Sequence, residues 1–159
     1  MRVALITPTP YDLFASGPRA LSAHLRANGH DTRLILLPGE TGKYKYRENY
    51  IYQYPRSMME DLARLTADCD LVGVSFMSGN FDAALQATRT VQQAHPGTPV
   101  VWGGHHTTVL PKQSLEYVDL VCIGEGEDCL LDLANALENG DDITGIENLC
   151  LRVDGEDII

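Results

Sequence analysis

The chain contains no apolar run that approaches the roughly 18 residues needed to cross a bilayer. Its first ten residues, MRVALITPTP, also lack the long apolar centre of a signal peptide. We therefore expect a cytoplasmic protein without a membrane partner. Positive charge is scarce as well, because 12 Lys and Arg residues stand against 22 Asp and Glu residues. A nucleic-acid surface needs clustered basic side chains, so this composition argues against one.

Cysteine is too sparse and too scattered for a disulfide framework or a C-x-x-C pair. The sequence holds four cysteines, at positions 69, 122, 129 and 150. Most of them lie inside apolar runs, which favours buried reduced thiols over disulfides.

The familiar phosphate-binding motifs are absent. The segment TPTPYD at 7–12 follows the first apolar run and has no glycine, and the chain has no P-loop lysine. The two prolines of this segment lack the backbone N–H groups that would cradle a phosphate. These absences argue against a dinucleotide site and nucleotide hydrolysis, and they weaken the case for a flavin site.

The residues that are present alternate between short apolar runs and segments of helical period. The runs are continuous, which predicts strands buried on both faces of a parallel sheet. They are RVALIT (2–7), TRLILL (32–37), LVGVSF (71–76), PVVWGG (99–104) and LVCIG (120–124). Amphipathic spacing predicts helices at 18–28, 57–67, 81–94 and 127–138. The alternation predicts an α/β fold: a doubly wound, flavodoxin-like or Rossmann-like parallel sheet of about five strands with helices on both faces.

Two segments depart from this pattern. Residues 39–55 are long, tyrosine-rich and without helical period, which predicts an insertion or a lid. Their tyrosines alternate as in a strand, and either packing or the shielding of a flat ligand would explain them. Residues 148–159 predict the start of a β-hairpin around Asp154-Gly155, outside the sheet and with the second strand cut short.

Ligands of open α/β sheets bind beyond the carboxyl ends of the strands. Gly103 and Gly104 follow one predicted strand and lack a Cβ atom, so a bulky group can approach the backbone there. We expect a bulky residue at Gly104 to fill the ligand's path while leaving the fold intact. Ser75 and Ser78 offer hydroxyl groups after the preceding strand. A ligand in contact with all of these positions would be large and would carry a tail.

At this point the sequence resembles a known family. The stretch VVWGGHHTTVLPKQSLEYVDLVCIGEGE (100–127) is similar to the cobalamin-binding N-terminal domain of radical S-adenosylmethionine enzymes. That family shows Gly-Gly-x-His-x-Thr, a short helix begun by proline, a strand led by aspartate, and Gly-Glu-Gly-Glu. The element Ser75-Phe76-Met77, followed by Gly103-Gly104, also resembles the broader cobalamin-binding pattern.

The resemblance implies a cobalamin-binding domain at 1–145 and, at 146–159, a linker towards a radical S-adenosylmethionine domain. It implies that cobalamin contacts the segments at the strand ends. The residues so implicated are Thr7, Pro8, Thr9, Pro10, Tyr11, Ser75, Phe76, Met77, Ser78, Gly79, Gly103, Gly104, His105, Thr107, Gly124, Glu125, Gly126 and Glu127. It also implies membership of a methyltransferase whose S-adenosylmethionine and [4Fe-4S] cluster belong to the downstream domain, so that this chain alone has no catalytic residue.

One departure from the cobalamin carriers concerns the protein ligand of the cobalt atom. Carriers that ligate the metal use Asp-x-His-x-x-Gly after the first strand, whereas this chain has TPTPYDLFASG without a histidine. The resemblance therefore implies cobalamin that is base-off and receives no imidazole from this loop.

Other interpretations of the same residues stay open. His105 and His106 are adjacent and would point opposite ways in an extended segment, so we expect no metal site, and His105 binds the ligand's tail or fixes its own loop. Glu125 and Glu127 are either an acid–base pair or carboxylates favoured by a helix N-terminus. For the whole chain, the alternatives are a stand-alone corrinoid carrier or sensor and a flavodoxin-like interaction domain.

Overall fold

The computed structural model describes residues 1–8, 16–37, 43–46, 49–153 and 155–159. These described residues form nine strands and six α-helices. The strands are β1 (Arg2–Thr7), β2 (Asp31–Leu36), β3 (Lys43–Tyr46), β4 (Asn49–Tyr52), β5 (Leu71–Ser75), β6 (Val100–Gly103), β7 (Leu120–Cys122), β8 (Leu149–Val153) and β9 (Glu156–Ile158). The helices are α1 (Ser16–Ala27), α2 (Arg56–Thr66), α3 (Phe81–Ala94), α4 (His105–Val109), α5 (Pro111–Ser114) and α6 (Glu127–Asn139), and a short 3-10 turn covers Ser78–Asn80.

The main sheet confirms the predicted α/β class. Its order is β2-β1-β5-β6-β7-β8-β9, and the pairs from β2 to β7 are all parallel. Alternate residues of β1 show why its apolar run is continuous: Val3 and Leu5 enter one core cluster, whereas Ala4 and Ile6 enter the other. Helices α1 and α6 cover the face of Val3 and Leu5, and α2 and α3 cover the face of Ala4 and Ile6.

The C-terminal hairpin lies in the sheet, so the prediction that residues 148–159 lie outside it is wrong, and the sheet has seven strands rather than five. Strand β8 pairs antiparallel with β7, with Cys150 opposite Val121, and β9 pairs with β8. Strand β9 pairs with only three of the five residues of β8, which agrees with the predicted short second strand. The hairpin lies in the sheet because β8 is apolar on both faces: Leu149 and Leu151 join one core cluster and Cys150 joins the other.

The tyrosine-rich insertion contains a separate two-stranded sheet. Strands β3 and β4 pair antiparallel, with Tyr44 opposite Ile51, which agrees with the strand-like alternation of the tyrosines. The segment after β4 is fastened to α3 by a reciprocal pair of hydrogen bonds. The Tyr54 amide donates to Gln86 Oε1 at 2.7 Å, and Gln86 Nε2 donates to the Tyr54 carbonyl at 3.0 Å. Within the described residues, no helix is both long and apolar enough to cross a membrane.

Candidate functional site

A cavity of about 490 Å³ opens at the carboxyl edge of the sheet, beside helices α1 and α6. Four neighbouring strands end at its wall, and their last residues are all small: Thr7, Ser75, Gly103 and Cys122. Larger residues at these positions would fill the space between the strand ends and the two helices. This row of small residues therefore creates the cavity, at the edge where α/β sheets bind their ligands.

The structure brings most of the predicted site residues to this cavity. Its lining includes Thr7 and the segments 75–77, 103–105 and 124–127. Pro8 is buried next to Thr7 but lies outside the lining. The predicted residues Thr9, Pro10 and Tyr11 lie outside the described part of the chain.

Three other predicted residues lie beside the cavity without lining it. Ser78 and Gly79 are exposed in the turn that follows Met77. Thr107 is fully buried, and its hydroxyl lies 2.9 Å from the carbonyl oxygens of both Gly104 and Cys122. The structure thus gives Thr107 a role in holding α4 against the end of β7.

The sequence analysis missed the wall that helix α1 contributes. Ser16, Gly17, Pro18 and Leu21 line the cavity from the first turns of this helix. The amphipathic pattern of residues 18–28 indicates that Leu21 faces the core, but nothing in that pattern shows that the N-terminal end of α1 covers the strand ends. Leu130 of α6 completes the apolar wall on the same side.

Thr108 and Val109 also line the cavity, and the family pattern indicates the first of them. If Gly-Gly-x-His-x-Thr is aligned on Gly103, its histidine falls on His106 and its threonine on Thr108. Each lies one residue after a predicted ligand contact, His105 or Thr107. The Thr108 hydroxyl donates to the Gly104 carbonyl and accepts from the Gly124 amide, both at 3.0 Å. Thr108 therefore joins two segments of the cavity wall.

The two glycines at the end of β6 have different roles. Gly104 has φ of +98°, and a Cβ atom there would lie 2.7 Å from the Phe76 carbonyl oxygen and 2.9 Å from the Phe76 nitrogen. Its own backbone conformation requires glycine, so the expectation that a bulky Gly104 would leave the fold intact is wrong. A Cβ atom on Gly103 would have no other atom within 4 Å, so Gly103 is the position that opens onto the cavity.

The two histidines lie on helix α4 and not on an extended segment, which corrects the geometry assumed from the sequence. Successive residues of a helix point about 100° apart, and the two rings accordingly have different surroundings. His105 is exposed and lines the cavity, whereas His106 is buried beneath it. Among the described residues, no three side chains of the metal-ligating types come together.

The mouth of the cavity is apolar and acidic. Met77 and Val109 are more than half exposed there, at 55% and 73%. Glu125 and Glu127 line the same region, and Glu127 lies in the first turn of α6, where the helix dipole favours a carboxylate. No Lys or Arg is among the described lining residues. Such a mouth suits a large ligand with apolar surface and amide donors better than one with several free phosphate charges.

Cys122 is the only described lining residue with a thiol, and the four cysteines are all buried and free, as predicted. The Cys129 thiol donates a hydrogen bond to Cys122, and this bond and burial raise the pKa of Cys129, whereas the same bond lowers the pKa of Cys122.

The fold and the cavity define a ligand-binding α/β domain of the flavodoxin-like class. Comparison with known families gives the ligand. A model of the B12 binding domain family matches residues 2–134. The chain therefore belongs to the B12 binding domain family, whose cofactor is cobalamin.

Two of the solved structures that resemble this chain are those of larger enzymes. TsrM from Kitasatospora setae, a radical S-adenosylmethionine methyltransferase solved with cobalamin and a [4Fe-4S] cluster, superposes with a TM-score of 0.77 at 20% identity over 98% of this chain and 28% of that one. OxsB, a cobalamin-dependent S-adenosylmethionine radical enzyme, superposes with a TM-score of 0.71 at 19% identity over 99% of this chain and 21% of that one. These likenesses confirm the fold.

A curated relative is similar in sequence. The chain is 29% identical over 110 residues to 2-(S-pantetheinyl)-carbapenam-3-carboxylate methyltransferase of Streptantibioticus cattleyicolor, which is 65% of this chain and 16% of the relative. The chain thus spans less than a third of the length of each of these three proteins.

Proposed function

We propose that this chain is the cobalamin-binding domain of a radical S-adenosylmethionine methyltransferase, and that its cavity receives the nucleotide tail of the cofactor. The row of small strand-end residues carries this proposal, because it leaves a cavity at the edge of the sheet where the exposed apolar surface of Met77 and Val109 lies. Cobalamin is a flat macrocycle with a long tail, so it matches an apolar platform beside a cavity.

The residues of the chain fit the cofactor in three ways. Gly103 leaves the space above the end of β6 free of side chain, as a tail that passes there requires. The apolar side chains of Leu21, Val101 and Leu130 would pack against the aromatic base of the nucleotide tail. Glu125 and Glu127 would accept hydrogen bonds from the amides at the edge of the macrocycle.

Bound cobalamin supplies a cobalt atom that can carry a methyl group. In the sequence from Pro8 to Gly17 no side chain offers an imidazole, thiol or thioether group to that metal. We therefore propose that the cofactor is held base-off, with no nitrogen ligand from the loop after β1. S-adenosylmethionine and the iron–sulfur cluster would belong to a separate domain, since this chain lacks the cysteine motif for the cluster.

The test is reconstitution of the purified chain with hydroxocobalamin, followed by gel filtration and absorbance spectroscopy. We expect the corrin absorbance to elute with the protein. Electron paramagnetic resonance of the cobalt(II) form should show no nitrogen superhyperfine splitting from a lower ligand, and such a splitting would refute the base-off assignment.

A second measurement tests whether the radical chemistry belongs to a separate domain. The reconstituted chain, given S-adenosylmethionine and a reductant, should release no 5′-deoxyadenosine. Release of this product by the chain alone would show that the radical chemistry does not depend on a separate domain.

A further inference from the structure

His106 makes one hydrogen bond through its side chain, and that bond joins two loops of the site. Its Nδ1 atom lies 3.0 Å from the Ser78 hydroxyl, in the turn that follows β5. The His106 amide also donates to the Phe76 carbonyl at 3.4 Å. Helix α4, which follows β6, is thereby fastened to the segment that follows β5.

The rest of the imidazole ring lies among aromatic side chains. It stacks on Phe76 with a centroid distance of 5.1 Å, and it packs against Phe81 at 5.2 Å. Phe81 in turn packs edge-on against Trp102 and Tyr117. His106 is only 3% exposed, and burial lowers its pKa, so the ring is neutral at neutral pH.

This position is a poor one for histidine if packing is its only role. The Nε2 atom of His106 is buried and has no hydrogen-bond partner within the described part of the chain. An unpartnered buried polar atom opposes folding, whichever tautomer the ring adopts. Phenylalanine would keep the stacking without that penalty, so the polar ring calls for a further reason.

The reason lies in what the Ser78 bond connects. Met77 precedes Ser78 and lines the cavity mouth, and His105 precedes His106 and lines it from the other loop. We call Met77 and His105 the rim of the cavity. We propose that His106 is a positioning residue whose bond to Ser78 fixes these two parts of the rim relative to each other. The effect on ligand binding rests on the proposed function, whereas the effect on the rim does not.

Three variants separate the bond from the packing. His106→Phe keeps an aromatic ring and removes the bond, His106→Asn keeps a polar group near the Nδ1 position and removes the ring, and Ser78→Ala removes the exposed partner alone. The amide of Asn80, which donates to the Met77 carbonyl at 2.8 Å, reports on the turn by hydrogen exchange. Urea unfolding measures stability, and hydroxocobalamin titration measures affinity.

We expect His106→Phe and Ser78→Ala to speed exchange of the Asn80 amide by about threefold to tenfold, which corresponds to the net strength of one hydrogen bond. Cobalamin affinity should fall by a similar factor in both variants, although His106→Phe should unfold at no lower urea concentration than the wild type. The double variant should be no worse than either single variant, because both remove the same bond. His106→Asn should unfold more easily and still recover part of the protection of Asn80.

Wild-type exchange and affinity in His106→Phe would overturn the proposal, and so would additive effects in the double variant. If His106→Phe fails to fold, Ser78→Ala decides the question alone, because Ser78 is exposed. If no form of the chain binds hydroxocobalamin, the proposed function fails, and the exchange of Asn80 still decides whether the bond fixes the rim.

Discussion

Replacing Gly104 with alanine should destabilise the protein severely, whereas the same replacement at Gly103 should not. Gly104 has φ of +98°, a conformation that costs a residue with a side chain about 1–3 kcal/mol. Its new Cβ atom would also lie 2.7 Å from the Phe76 carbonyl oxygen, a contact that only a backbone shift can relieve. Overpacking of this kind costs about 1–3 kcal/mol more. The two effects together give about 2–6 kcal/mol, a large part of a typical domain's stability.

Gly103→Ala is the matched control, since its Cβ atom would meet no other atom within 4 Å. We expect the free energy of unfolding to change by less than about 1 kcal/mol there. Urea titrations of the two variants and the wild type, followed by circular dichroism, give the comparison. A Gly104→Ala variant within about 1 kcal/mol of Gly103→Ala would refute the assignment of Gly104 to backbone geometry.

Three further predictions concern the cavity, the core and the acid response. Gly103→Leu should weaken hydroxocobalamin binding by about tenfold or more, because its side chain would occupy the tail's path, and equal affinity in Gly103→Leu and the wild type would place the ligand elsewhere. Thr88→Val should lower the free energy of unfolding by about 1–3 kcal/mol, because the fully buried Trp102 Nε1 loses the hydroxyl to which it donates at 2.7 Å. Thr88→Ser keeps that hydroxyl and should cost less, so a reversed order in urea titrations would contradict the role of the bond. The Arg33 guanidinium lowers the pKa of Asp68 to about 2, so this carboxylate stabilises the fold above its unfolded pKa near 4 and loses that effect as the pH falls towards 2. Asp68→Asn should therefore flatten the dependence of unfolding free energy on pH between about 4 and 2, and an unchanged slope would contradict the ion pair's contribution.

The fold could be predicted from the sequence where local pattern decides the structure. Helix α3 begins and ends at 81 and 94, as its amphipathic spacing indicates, and the continuous run of β1 is a central strand. Strand β8 shows where such prediction fails. Its residues LCLRV are apolar enough for a central strand, but their place beside β7 depends on an open sheet edge that no local pattern reveals.

The site was predicted from the rule that ligands bind at the carboxyl ends of parallel strands, and that rule located Ser75 and Gly103 at the cavity. It could not locate Ser16 or Leu21, because helix α1 covers the strand ends only through tertiary packing. The prediction that His105 and His106 lie on an extended segment was wrong for a local reason. Two glycines before two histidines resemble the end of a strand, whereas the chain turns at Gly104 and starts a helix at once.

The turn at Gly104 determines where both histidines lie. With its positive φ, Gly104 ends the strand directly against the backbone of Phe76, and α4 begins at the next residue. His105 then reaches the cavity, and His106 enters the aromatic cluster on the other side of the loop. Had the strand continued through residue 105, the direction of the ring at 106 would follow the pleat of the sheet, and no helix would bring it to Ser78. The family pattern implies that Gly104 contacts the ligand. Its first role is instead to let the backbone turn, because that turn allows α4 to start and so places His105 and His106.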